Sequence, residues 1–129
     1  MKKQIINTIN APQPIGPYNQ AIKIGNTLYT SGQIAINPQN NEMVMENITI
    51  ETKQVMENLK AVLHTASMDF NNVIKSTIFI ADMDEFDAIN AVYGGYFDEA
   101  TAPARETVQV ARLPKDVNVE ISVIAISEK

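Results

Sequence analysis

Apolar and polar positions alternate with period two in several short runs, and recur at helical spacing in two longer ones. Residues 20–24 and 28–33 flank Gly25-Asn26, a two-residue connection that favours a β-hairpin. The run 73–81 is rich in Val, Ile, Thr and Phe. Residues 107–112 and 117–126 bracket Leu113-Pro114-Lys115-Asp116, a turn with Pro and Asp where turns favour them. A short strand is expected near 4–7. In the first helical pattern, Val55, Met56, Leu59, Val62, Leu63 and Ala66 share one stripe. In the second, Asp82-x-x-Glu85 reads as an N-terminal capping pair, and Phe86, Ile89, Tyr93, Tyr96 and Phe97 form the apolar face. Gly94-Gly95 lies inside that face. A helix-interior Gly costs about 1 kcal/mol relative to Ala, so either the helix frays at Tyr93 or the glycines permit a close backbone approach.

The order strand–strand–helix–strand–helix–strand–strand predicts an α+β fold with two helices on one face of a mixed sheet. The strands nevertheless carry apolar residues on both sides. Strict alternation sets Val73 and Phe79 against Ile74, Ile78 and Ile80, and Val119, Ile121 and Val123 against Ile124 and Ile126. A face that the chain's own helices leave bare needs another cover, which points to a homo-oligomer packed through it.

Composition narrows the chemistry. A chain of 129 residues is one domain's worth, and no linker or repeat divides it, so 1–129 is expected as a single domain. Hydrophobic residues at 45% and charged residues at 19% indicate a globular chain rather than a disordered one. The absence of cysteine removes disulfides, iron–sulfur clusters and thiol nucleophiles, and a single histidine removes a multi-histidine metal cage. Ten basic against fifteen acidic residues, a net charge of -5, match nucleic acid and anionic membrane poorly. No stretch approaches the ~20 apolar residues that span a bilayer. The apolar run at the start ends at Asn7, short of the about 7–15 residues of a signal-peptide core, so a cytoplasmic protein is expected.

Few side chains remain as candidates for chemistry. His64 shares the polar stripe of Lys53, Glu57 and Lys60 and is expected to be solvated. Arg105, Thr107 and Gln109 share one strand face, with Val108 and Val110 on the other; Glu120 and Ser122 oppose Val119, Ile121 and Val123. If the valine-rich faces meet the helices, Arg105 and Glu120 both project onto the oligomer-facing side, as site residues, a structural ion pair or two rim charges. A hairpin turning near Pro114-Lys115 sets Glu120 opposite Gln109 or Val110. Arg105 then lies roughly 15 Å further along at ~3.4 Å per residue, so a site using both draws them from two subunits. Asn90, on the apolar stripe of the second helix, is expected to be a buried, paired amide. Tyr18 and Ser31-Gly32-Gln33 are polar or flexible points within apolar segments.

Asn10-Ala11-Pro12, Ile15-Gly16-Pro17-Tyr18, Ser31-Gly32-Gln33-Ile34, Pro103-Ala104-Arg105 and Val110-Ala111-Arg112-Leu113-Pro114-Lys115-Asp116 with Val119-Glu120-Ile121 together resemble the RidA-type family of reactive enamine/imine deaminases, in order over nearly the whole chain. The resemblance implies a chorismate-mutase-like α+β subunit, a homotrimer and active sites in clefts between subunits. It implies hydrolysis of imines such as 2-aminoacrylate, released by PLP-dependent serine or threonine dehydratases, to a 2-keto acid and ammonia, with no cofactor or metal. Carried over by position, Arg105 would hold the substrate carboxylate and Glu120 would activate water. Tyr18, Ser31, Gly32 and Asn90 would line the pocket. Two positions depart from the family: Thr107, often Cys, would border the pocket on the side of Arg105, and Glu106 would point away as a rim charge. The competing implication is a regulatory or chaperone-like trimer that senses small carboxylates without turnover. A degenerate, purely structural trimer fits less well with Arg105 and Glu120 both present, and a ribonuclease fits the negative charge least.

Overall fold

The computed structural model describes residues 2–128. Its strands are β1 (Lys3–Ile6), β2 (Ala21–Ile24), β3 (Thr27–Thr30), β4 (Val73–Ile80), β5 (Ala104–Gln109) and β6 (Val119–Ile126), with helices α1 (Ile48–Thr65) and α2 (Phe86–Gly94). They form one mixed sheet in the order β1-β2-β3-β6-β4-β5. All neighbours are antiparallel except β4 and β5. This is the expected α+β, chorismate-mutase-like arrangement.

Local signals explain the elements. Gly25 takes φ 59° in the β2–β3 turn, where a side chain would be strained. The Asn47 carboxamide caps α1 by accepting from the Ile50 amide at 2.9 Å. The predicted stripe of α1 is buried, packed with Ile89 and Tyr93 of α2 onto Ile78 and Ile80 of β4 and Val119, Ile121 and Val123 of β6. Asp82 caps a short 3-10 turn, Met83–Glu85, rather than α2 itself, which begins at Phe86. The helix ends at Gly94, where an added Cβ would meet no heavy atom within 4 Å, whereas one at Gly95 would lie 3.3 Å from the Val92 carbonyl oxygen; the pair combines helix termination with one close backbone approach.

Three expectations of register need correction. Residues 107–112 and 117–126 do not form a hairpin. β4 lies between β5 and β6, and Glu120 opposes Phe79 instead of Gln109 or Val110. A short link says that two strands are close in sequence; it does not say that they pair, and here the parallel partner was available. Second, the faces of β5 are reversed. Ser76, Ile78 and Ile80 oppose Arg105, Thr107 and Gln109 across the parallel ladder, and these β4 residues are buried beneath the helices. Opposed residues share a face, so Arg105 and Thr107 lie on the helix side, and Glu106 and Val108 on the open side. Glu106 pairs there with Lys75 at 3.1 Å. Third, a register shift between Val73 and Lys75 breaks the alternation in β4, burying Val73 and leaving Ile74 exposed.

The open face carries Ile5, Ile24, Tyr29, Val108 and Ile126, each 37–49% exposed. Beneath the other face, polar residues tie loops to the core. Gln20, fully buried, accepts from the Thr8 amide and donates to the Ala11 and Pro12 carbonyls. Glu51 is also fully buried; its carboxylate accepts from the Asn118 backbone amide at 2.8 Å and side-chain amide at 2.7 Å. That clamp holds the chain two residues before Glu120 against the start of α1. Glu51→Leu strands these donors and is expected to cost about 1–3 kcal/mol. A urea unfolding midpoint equal to that of the parent would show that the clamp carries no stability. No helix among the described residues is long and apolar enough to cross a membrane.

Candidate functional site

The structure divides the sequence-derived candidates into two half-sites on opposite faces of the sheet. On the open side, Glu120 projects from β6 over Gly32. A Cβ at Gly32 would lie 2.7 Å from the Glu120 carboxyl carbon and closer still to Oε2, so only glycine leaves room for the acid. The strand is held there by a bridge in which the Gln33 amide donates to the Ile121 carbonyl at 2.8 Å and the Ile121 amide donates back at 3.1 Å. Glu120 is partly buried and, among the described residues, meets no cation, so desolvation raises its pKa above the ordinary carboxylate range. Tyr18, 48% exposed, shares a small cleft of about 70 Å³ with Gly32, Pro114 and Glu120. Ser31 does not line that cleft; its hydroxyl donates to the Asn19 carbonyl at 2.5 Å and so ties the segment before β2 to the end of β3.

Pro114 reaches this cleft from a loop with an unusual backbone. Lys115 and Asp116 both take positive φ, 56° and 55°. Asp116 accepts from Arg112 Nε at 2.6 Å and Nη2 at 3.1 Å, a two-pronged bond across the loop.

On the helix side, Arg105 is partly buried against α2. Its Nη1 donates to Asn90 Oδ1 at 2.6 Å. Its Cζ lies 5.0 Å from the ring centre of Tyr93 and 5.7 Å from that of Phe86, within cation–π range. The Tyr93 hydroxyl donates to Ser76 Oγ at 2.8 Å, and Ser76 is the residue directly opposed to Arg105 in the sheet. The aromatic cradle is thus fastened to the strand that carries the guanidinium. Burial raises the Tyr93 pKa, partly offset by Ser76 and Arg105, so the phenol stays protonated and donating. Asn90 is exposed on α2 and not buried as its stripe suggests; it faces the edge strand β5, where its partner is Arg105. Thr107 follows on the same face, with its hydroxyl buried and without a hydrogen-bond partner among the described residues.

Arg105 has no acidic partner within the described residues, so the ion-pair alternative with Glu120 fails in one chain. What remains is a guanidinium oriented by an amide and two rings, beside a cleft of about 290 Å³, and a desolvated carboxylate on the far face. The first suits a planar anion and the second suits proton transfer. A larger groove, about 590 Å³, runs elsewhere, along α1 beside Glu57, Lys60 and His64. Its acid is already engaged by the Tyr96 hydroxyl at 2.6 Å, and His64 is solvated as expected. No group of His, Asp or Glu among the described residues is arranged to hold a metal ion.

Sequence patterns pointed to Arg105, Asn90 and Glu120 but missed the cradle of Phe86 and Tyr93. The signal was present: Phe86, Asn90 and Tyr93 follow each other at four and three residues, one helical face. The Glu51–Asn118 clamp had no such signal, because it joins residues 67 positions apart.

Gly32→Ala is expected to displace the Glu120 carboxylate without touching Arg105. If Glu120 works as an acid–base group, turnover should fall about tenfold or more with affinity changed much less, measured as separate kcat and KM values. Parent kinetics in a folded Gly32→Ala protein would show that the position of Glu120 is unimportant.

Known proteins resemble the chain over nearly its whole length. The family model described as Endoribonuclease L-PSP matches residues 8–127. A RutC family protein of Synechocystis sp. is 54% identical, covering 98% of each chain. The 2-iminobutanoate/2-iminopropanoate deaminase of Mus musculus is 42% identical over 96% of this chain and 91% of its own. Among solved structures, E. coli TdcF with bound serine superposes with a TM-score of 0.91 at 43% identity, covering 97% of this chain and 99% of that one.

Proposed function

The chain belongs to the RutC/RidA-type (endoribonuclease L-PSP) family, and on that premise we propose that it hydrolyses 2-imino and 2-enamino acids to 2-keto acids and ammonia. The observation that carries this reading is the Arg105 guanidinium, unpaired with any acid among the described residues yet held ready beside an open cleft. The likeness to the mouse deaminase supports 2-iminopropanoate and 2-iminobutanoate as the substrate class; 2-aminoacrylate is the enamine tautomer of the first, and imines of this kind are what PLP-dependent serine and threonine dehydratases release.

In this reading the substrate carboxylate docks on Arg105 by two parallel charge-assisted hydrogen bonds. The protonated imine is already electrophilic at C2. Water forms the new C–O bond there as its proton passes to Glu120. Glu120 returns that proton to the nitrogen and then takes the proton of the new hydroxyl as the C–N bond breaks; ammonia leaves the 2-keto acid and carries that proton off as ammonium, which restores the Glu120 carboxylate. Water and one imine are consumed, with no redox change. The chemistry requires neither a metal nor a covalent nucleophile, so activity should survive extensive chelation.

Arg105 and Glu120 lie on opposite faces of one subunit's sheet, so a complete site takes them from two copies. A homotrimer packed through the bare face meets that need and covers Ile5, Tyr29 and Val108. Light scattering should return three times the chain mass at micromolar concentration; a monodisperse monomer would overturn both the assembly and the composite site. The activity is tested by adding the protein to a threonine dehydratase reaction. Keto-acid release should quicken and the imine lifetime shorten. An unchanged lifetime would leave the second reading, a small-carboxylate-binding trimer, to which the bound serine of E. coli TdcF lends weight. A ribonuclease, as the family model's description has it, finds little support in a chain of net charge -5 whose lone histidine borders neither half-site.

A further inference from the structure

The cleft beside Arg105 is large for the smallest imines. At about 290 Å³ it approaches the ~300 Å³ at which small-molecule pockets begin, whereas 2-iminopropanoate brings a single methyl beyond its reacting carbon. Two of its lining positions present almost no side chain. Gly94 lies at the end of α2, where an added Cβ would meet nothing within 4 Å, and Ala102 lies in the link to β5. The rings of Tyr93 and Phe97, tilted by 39° with centres 4.7 Å apart, form its apolar wall, and the Asn90 carboxamide lies with Arg105 at its polar end. One acid, the exposed Glu99, borders it.

From this lining we infer that the cleft is a side-chain subsite, and that the preferred substrates are 2-imino acids with apolar side chains of about four heavy atoms, such as a branched aliphatic chain. The inference rests on the proposed role of Arg105 as carboxylate anchor and adds the part of the substrate that role leaves unspecified. An apolar chain gains by leaving water for a wall of rings and small residues, at a rate that grows with each methylene. An acidic side chain of the same length instead brings a second negative charge towards Glu99. Gly94 and Ala102 are the specificity-determining positions, because a larger residue at either would project into the space the side chain needs.

Stable 2-keto acids, shaped like the products, test this by calorimetry on the protein as it assembles in solution. 4-Methyl-2-oxopentanoate should bind roughly tenfold or more tighter than pyruvate, since it buries three further carbons. 2-Oxoglutarate should bind no tighter than pyruvate. In Gly94→Leu the preference for the branched acid should collapse towards one, and Ala102→Leu should do the same. Equal binding of pyruvate and the branched acid by the parent protein would overturn the inference. So would 2-oxoglutarate matching the branched acid, or a preference that survives both substitutions in folded variants. The outcome is separable from the deaminase reading: an intact preference without turnover of any imine sinks only that reading, and turnover of 2-iminopropanoate without a preference sinks only this inference.

Discussion

Arg105→Ala is expected to lower kcat/KM for carboxylate-bearing imines by on the order of 10² or more. Hydrogen bonds to charged groups are each worth roughly 1.5–3 kcal/mol net, and the guanidinium offers two in parallel. One of its nitrogens is already committed to Asn90, which fixes the plane in which the others meet the substrate. Arg105→Lys keeps a charge but neither the fork nor the flat surface that rests on Tyr93, so it should recover only part of the loss. An imine without the carboxylate never used the fork and should lose much less. Stability should barely move, because Arg105 makes no ion pair with an acid among the described residues; its contacts with Phe86 and Tyr93 are the kind worth about 0.5–1 kcal/mol at exposed sites. Equal losses for the two substrate types, measured on variants with the parent's oligomeric state, would refute carboxylate recognition.

Glu120→Gln is expected to cost roughly 10²–10⁴ in kcat, the range for removing a positioned general base. The pH dependence carries a second signature. The water-activating form is the carboxylate, so kcat/KM should fall as pH drops through the Glu120 pKa, and burial sets that limb higher than for an ordinary carboxyl. In Glu120→Gln the limb should vanish. The stability effect runs the other way. A folded pKa raised above the unfolded value means that the native state binds the proton more tightly. The stabilisation from protonated Glu120 is therefore full below the unfolded pKa and lost as pH rises through the folded one. Replacing a desolvated, unpaired carboxylate by an amide should accordingly leave the melting temperature at neutral pH unchanged or slightly higher. Parent turnover in a folded Glu120→Gln protein would reduce Glu120 to a structural role.

Both experiments depend on how the chain partitions its polar residues, and that partition was only half legible beforehand. The helices, the β2–β3 hairpin and the excess of apolar strand residues follow from local periodicity and turn chemistry, which act within a few positions of each other. So do the solvated His64 and the candidacy of Arg105, Asn90 and Glu120. Alternation along β5 correctly separates Arg105 and Thr107 from Glu106 and Val108. It is silent on which set meets the helices, since an edge strand with Arg, Thr and Gln on one side and Glu and Val on the other has no clearly apolar face.

Thus the sequence alone determined which side chains travel together and that one sheet face is left bare. Tertiary structure decided where they go. β5 inserts beside β4 in parallel, so Arg105 is set against Ser76 and under Tyr93 rather than across a hairpin from Glu120. β6 takes the central place between β3 and β4, so Glu120 emerges over Gly32 on the opposite face. The physical reason is that strand pairing is a choice among distant partners. It is settled by the burial of a whole core, here α1 and α2 closing over β4 and β6, and no window of a dozen residues contains the alternatives being compared.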